Sequence, residues 1–240
     1  MALSTITYSD NSGGWTSFWD YYPDWMIGLS NVFYSWKNGS LYQHNLSNTR
    51  CIFYGVQVPS IVKTIFNEDP FTTKMFKSVS LDSTSPWTAT LNTDLDIGSI
   101  ASTEYVEKEG TWFGYARASS STSNSLNLLS TQGVGSISTV SGATATFGFN
   151  ITTRLGVGDR VYINNSLTSI GTIVSATATT ITITGGVFTG LTGGYVRIEK
   201  NSIAESYGLR GYYMDIELEI TSQSEVELFS VSSSLFKSYM

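Results

Sequence analysis

Apolar residues recur at every second position through almost the whole sequence, in short runs separated by Gly, Asn, Ser and Pro. Nowhere do they take the three-and-four spacing of a long amphipathic helix. A chain patterned this way buries one side of successive strands, so an all-β fold is predicted. At 240 residues it is long enough for one large β domain or two smaller ones, and neither needs disulfide staples to hold a core. Cys51 has no partner for an intrachain bridge, and one cysteine with one histidine cannot make a Cys/His zinc site.

The clearest hairpin is Val32–Trp36 with Leu41–His44, joined by Lys37-Asn38-Gly39-Ser40. Asn-Gly supplies the positive φ that a type I′ turn demands. Arg50–Val58 and Ile61–Phe66 read as further strands, with Pro59 between them where a ladder hydrogen bond can be spared. Thr72–Lys77 reads as a short helical turn. Ala118–Asn127 is a run of Ala, Ser, Thr and Asn with one Leu, has too little apolar surface to order itself, and is read as a linker or flexible loop. Beyond it, 133–200 is rich in Gly, Thr, Val and Ile and has no Trp. Strands are expected at Gly135–Val140, Thr144–Phe147, Arg160–Ile163, Gly171–Ala176, Thr180–Thr184 and Gly194–Glu199, a density that suits a small barrel or sandwich. Aromatic strands resume at Tyr207, and Met214–Ile220 alternates, with Ile216, Leu218 and Ile220 facing a core and Asp215, Glu217 and Glu219 facing out. The predicted architecture is an aromatic-rich, sandwich-like β domain (1–127 and 203–240) interrupted by a small inserted β-barrel or sandwich (128–202).

Charged residues make up only 13% of the chain, about half the usual share, which suits a protein packed against neighbours. A net charge of -6 without any Lys/Arg cluster argues against a phosphate-neutralising nucleic-acid surface. The N-terminus lacks the basic and apolar regions of a signal peptide, and no apolar stretch has the length of a membrane span, so synthesis in a cytoplasm without membrane insertion is expected. The only histidine, His44, has no ionisable neighbour in sequence to orient it as a base, and a structural or surface role is expected. Asp94 and Asp96, two apart, would share one face of a strand. Such a pair suits a hard cation or a glycosidase only with partners from elsewhere, and a solvated loop is preferred. Gly156-Val-Gly158-Asp159-Arg160 precedes a strand and not a helix, so it reads as a tight turn and not a phosphate loop. Asn38-Gly-Ser, Asn45-Leu-Ser and Asn150-Ile-Thr match a glycosylation pattern that chance supplies often. No catalytic residue, metal or cofactor is expected.

The cluster Trp15, Phe18, Trp19, Tyr21, Tyr22 and Trp25 is too dense in large rings for all of them to face water, and is read as core and subunit contact together. Exposed, it would make a sugar-stacking platform or a protein interface, and a carbohydrate-binding module of a host-recognition apparatus is the alternative function. Trp15, Trp19 and Trp25 are the candidate interaction residues there. Asp215, Glu217 and Glu219 are a second candidate surface, an acidic row facing a channel or a neighbour, or else the charges that keep a strand edge from pairing.

Several segments carry a family resemblance. Phe33-Tyr-Ser-Trp-Lys-Asn-Gly-Ser-Leu-Tyr-Gln-His-Asn45, Phe66-Asn-Glu-Asp-Pro-Phe-Thr-Thr-Lys-Met-Phe-Lys77 and Glu107-Lys-Glu-Gly-Thr-Trp-Phe-Gly-Tyr115 resemble successive parts of tail structural proteins, of the muzzle-like kind, from crAss-like and large marine tailed bacteriophages. Gly208-Leu-Arg-Gly-Tyr-Tyr213 and Glu227-Leu-Phe-Ser-Val-Ser-Ser233 resemble that family's closing strands. The resemblance implies a non-enzymatic virion component of the tail or its muzzle, a homo-oligomeric ring in contact with other tail proteins. It brings no catalytic residues.

Overall fold

The computed structural model describes residues 4–118, 130–201 and 208–238. Their regular structure is strand, apart from one 3-10 turn at Ser102–Glu104. Two compact units divide the chain, Met1–Ile61 with Glu219–Glu227, and Val62–Leu218 with Leu228–Met240.

The larger unit contains a two-sheet sandwich and a closed barrel. One sheet has the order β14 (Arg117–Ala118), β11 (Ile97–Ile100), β10 (Thr88–Thr93), β22 (Met214–Ile220), β8 (Ser60–Phe66). In the other, β9 (Lys74–Ser83) is the spine. It pairs along its whole length with β23 (Leu228–Lys237), and its opposite edge is shared end to end by β13 (Thr111–Tyr115) and β21 (Leu209–Gly211). β12 (Val106–Lys108) extends the sheet beyond β13. Alternation does what the pattern requires: Phe76, Val79 and Leu81 of β9, Ala89 and Leu91 of β10, Ile100 of β11, and Met214, Ile216 and Leu218 of β22 are all buried. The sheets meet where Gly98 on β11 touches the Leu209 side chain and Gly114 on β13 lies against Ile100.

The barrel closes through β15 (Gln132–Ser141), β16 (Thr144–Phe147), β19 (Thr180–Thr184), β18 (Gly171–Ala176), β17 (Arg160–Ile163) and β20 (Tyr195–Glu199), back to β15. Fourteen buried side chains fill it, enough for a core that stands without staples. These strands agree with the sequence reading to within a residue or so, except that β15 starts three residues earlier. Residues 119–129 and 202–207, which hold most of the linker tract, both expected insert boundaries and Tyr207, lie outside the described residues. The compact units divide elsewhere than at 128 and 202, so independent folding of the insert is a proposal taken up below. Arg117 ties the two parts together: it is buried and donates to the carbonyls of Lys200 and Asn201.

Two expectations are corrected, and the preferred loop reading of Asp94 and Asp96 gains partners. Thr72–Lys77 is not a helical turn: a turn at 69–72 leads directly into β9. Lys74 misled the reading because it is a charged residue in a core position, 1% exposed, with its ammonium donating to the Glu68 and Asp69 carbonyls. Arg50–Val58 is not one strand but a tight hairpin, β6 (Ile52–Phe53) and β7 (Val56–Gln57), turned at Tyr54 and Gly55 with φ of 51° and 82°. Asp94 and Asp96 sit in the turn between β10 and β11, and each accepts from the backbone of the 208–213 segment, Asp94 from Tyr212 N and Asp96 from Arg210 N, both at 2.7 Å. Their carboxylates cap strand ends, which is why a chain so poor in charge keeps two of them together.

The smaller unit holds β1 (Thr5–Ser9) paired with β2 (Gly14–Trp19), a sheet of β3 (Trp25–Leu29), β4 (Val32–Lys37) and β5 (Ser40–Gln43), and the β6–β7 hairpin. The β4–β5 turn is built as expected, with φ of 49° at Asn38 and 78° at Gly39. No atom crowds the place where a Cβ would stand on Gly39, so strain alone sets the cost of replacing it. Gly39→Val should destabilise this unit by about 1 kcal/mol or more, read as a lower urea midpoint of Trp fluorescence. An unchanged midpoint would mean the turn tolerates a β-branched residue at positive φ.

Candidate assembly surface

In the smaller unit, registry places Trp25, Trp36 and Leu41 side by side across β3, β4 and β5, then Ile27, Tyr34 and Gln43, then Leu29 and Val32. Alternate residues of a strand share a face, so these eight form one side of the sheet. It carries no charge. Trp25, Leu29 and Leu41 are 59%, 62% and 57% exposed, and the Trp25 and Trp36 rings lie 5.1 Å apart. The β1–β2 hairpin has a second face of the same kind, where Ile6 pairs with Phe18 and Tyr8 with Trp15, the latter rings edge to face at 5.2 Å. Trp15 and Phe18 are 66% and 75% exposed.

The other face of the sheet makes the unit's internal contacts. Ser35 is fully buried, its Oγ hydrogen-bonded to His44 Nε2 at 2.6 Å and to the Tyr54 hydroxyl at 2.9 Å. Around them, Tyr21 stacks on Phe53 at 4.5 Å, Trp19 meets Phe53 edge-on at 5.5 Å, and Phe33 and Tyr21 lie against the His44 ring. A serine and a histidine at this distance resemble a nucleophile and its base. Ser35, however, is sealed from solvent, so the pair holds the fold together, which is the structural role expected of His44.

Burial holds the His44 imidazolium below its ordinary pKa. The unfolded chain therefore takes up a proton first as pH falls. The stability due to neutral His44 is complete above the ordinary imidazole value and is lost as pH drops through it. Wild type should lose more stability between pH 7.5 and 5.5 than His44→Gln does, measured by urea denaturation. Equal losses would show that His44 titrates alike in both states.

The aromatic cluster is thus corrected in one respect: none of its rings is fully buried, and Trp19 and Tyr21 alone turn to the unit's internal contacts. Among the described residues of this unit only Pro23 and Ser35 are buried. The three tryptophans named from sequence divide, with Trp15 and Trp25 outward and Trp19 inward, where its Nε1 donates to Thr7 Oγ1 at 2.7 Å. The aliphatic part of the surface, Ile27, Leu29 and Leu41, was missed. Its signal is Trp25-Met-Ile-Gly-Leu29, a strand without polar alternation and with every residue exposed.

Asp215 and Glu217 of the acidic row belong to the larger unit, and Glu219 to the smaller one. Asp215, Glu217 and Glu219 alternate on β22 with buried Met214, Ile216 and Leu218, while Ile220 is half-buried and not a core residue. β22 runs between β10 and β8, so the solvated-edge reading is corrected. Glu217 pairs across to Lys63 of β8 at 2.6 Å, which relieves the repulsion along the row.

Residues 48–118 match the family described as the Crassvirus muzzle protein C-terminal domain. The match runs from the β6–β7 hairpin through the sandwich strands to β14 and stops before the barrel. It supports the resemblance to muzzle proteins of crAss-like phages, and with it a phage virion structural protein. No curated protein matches the chain.

Proposed function

We propose that this chain is a non-enzymatic component of a phage tail or of its muzzle-like distal end, assembling into a symmetric ring through contacts with copies of itself and with other tail proteins. One observation carries the reading. A unit of some seventy residues exposes Trp15, Phe18, Trp25, Ile27, Leu29 and Leu41 and buries no large apolar side chain among its described residues, whereas soluble monomers rarely expose patches beyond a few hundred Å². Such a surface is stable in water only when covered. Low overall charge and a net charge of -6 agree with a chain that packs against protein and does not bind nucleic-acid phosphates. The row Asp215, Glu217 and Glu219 belongs to the proposal as a further contact face.

The exposure of Trp15 and Trp25 also suits the alternative, a carbohydrate-binding module. The sheet face argues the other way. Sugar platforms need several polar groups beside the rings, and this face offers no charged residue, its hydrogen-bonding groups being Gln43, the Tyr34 hydroxyl and two indole N–H groups beside Ile27, Leu29, Val32 and Leu41. Quantitative mass spectrometry of purified virions should find the chain at a fixed stoichiometry with other tail proteins. Its absence from virions, or specific glycan binding by the free chain, would overturn the structural reading.

A further inference from the structure

We infer that the smaller unit joins copies of this chain head to tail: the charge-free face of the β3–β5 sheet on one copy receives the Ile6, Tyr8, Trp15 and Phe18 face of the β1–β2 hairpin on the next. The inference rests on the assembly reading above and names its partner as a second copy.

The two surfaces differ in form, which is what a heterologous contact requires. One is a flat platform on which Trp25, Ile27, Leu29 and Leu41 project from two strands at ladder spacing. The other is a two-stranded ribbon with Trp15 and Phe18 standing most clear of it. An isologous contact through one patch on both partners would leave the second patch in water. A heterologous contact covers both on every copy, and closes into a ring when the rotation permits.

The areas suit this pairing. Three strands at the usual spacing and rise give a platform about 15 Å by 17 Å. That is the size of the apolar centre of an interface burying roughly 600–800 Å² per partner once a polar rim is included. Electrostatics agree. Excluding the first three residues, the unit carries Asp10, Asp20, Asp24, Glu219, Glu225 and Glu227 against Lys37 and Arg50, so copies repel in general. Both patches are free of charge, and Asp24 is engaged with Lys37 at 3.5 Å and with Asn38 N at 2.7 Å. The docking faces are therefore where two copies approach at least electrostatic cost.

The test is sedimentation of the full chain in the micromolar range with two variants at exposed positions, Leu29→Lys on the sheet and Phe18→Lys on the hairpin. Wild type should associate, and each variant alone should weaken self-association at least tenfold. An equimolar mixture should form a heterodimer and stop there, because each variant keeps one intact surface, complementary to the one its partner keeps. Circular dichroism of each variant checks the fold, and Leu41→Lys replaces Leu29→Lys where the latter does not fold. A wild type that stays monomeric, a Phe18→Lys variant that associates as wild type does, or a mixture without heterodimer overturns the inference. Virions that still incorporate a non-associating chain would leave the structural role standing and remove only this contact.

Discussion

Asp159→Ala is expected to open the barrel, at a cost of about 3 kcal/mol or more. Asp159 is only 2% exposed and is the clamp between the turn into β17 and the chain leaving β20. Its Oδ2 accepts from Gly156 N at 2.8 Å and from the Lys200 ammonium at 3.1 Å, and its Oδ1 accepts from Asn201 N at 3.0 Å. Alanine removes both acceptor oxygens and the three hydrogen bonds they receive, leaving two backbone N–H groups and a cation to find other acceptors in a confined space. The partial exposure of Lys200 lets water recover some of that loss, which keeps the effect near the lower end of the range for buried pairs. Tryptophan fluorescence is blind to this event because 133–200 has no Trp. Hydrogen exchange read by mass spectrometry should show faster exchange in β15 to β20 and little change in β9. Unaltered protection in β17 and β20 would show that the turn holds without its carboxylate.

Gly98→Val should destabilise the sandwich by about 3 kcal/mol or more, through crowding. A Cβ on Gly98 would stand 2.4 Å from the Arg117 carbonyl oxygen and 2.8 Å from both Leu209 methyls. Leu209 is fully buried and cannot swing clear, and the Arg117 carbonyl belongs to the neighbouring strand of the same sheet. Relief requires β11 to move away from β14 or the two sheets to separate, and either costs core contacts. Since Trp87 and Trp112 report on this region, a lower urea midpoint by fluorescence is the expected reading. A variant as stable as wild type would mean the sheets are not in contact at Gly98.

Some of this was legible from residues alone, for physical reasons that can be named. Thr180-Ile-Thr-Ile-Thr184 is a barrel strand on sight because Ile181 and Ile183 are buried while the threonines between are not. Asn38-Gly39 is a turn because few other residue pairs accept its two positive φ values. Lys74 broke the same rule: its alkyl stem fills a core position, and the carbonyls that receive its charge come from residues outside the strand. Tyr54 at positive φ hid the second hairpin, since no composition rule expects a tyrosine there. The candidate surface was half legible. Aromatic density marked Trp15 and Trp25, but whether a ring is core or surface depends on what packs over it, and local sequence does not contain that. Autonomy of the insert at 128–202 remains a proposal with a definite test. Replacing 128–201 by a short Gly/Ser linker should leave the sandwich folded once Arg117→Leu is included, because Arg117 would otherwise lose the Lys200 and Asn201 carbonyls and remain buried. Loss of the cooperative thermal transition in that double change would place the boundary elsewhere.

The aromatic unit is expected to be covered by protein in the virion. Hydroxyl-radical footprinting of Trp15 and Trp25, compared between the free monomeric chain at low concentration and intact virions, tests it most directly. The account predicts heavy labelling of both in the free chain and strong protection of both in the virion. Equal labelling in the two states would contradict it.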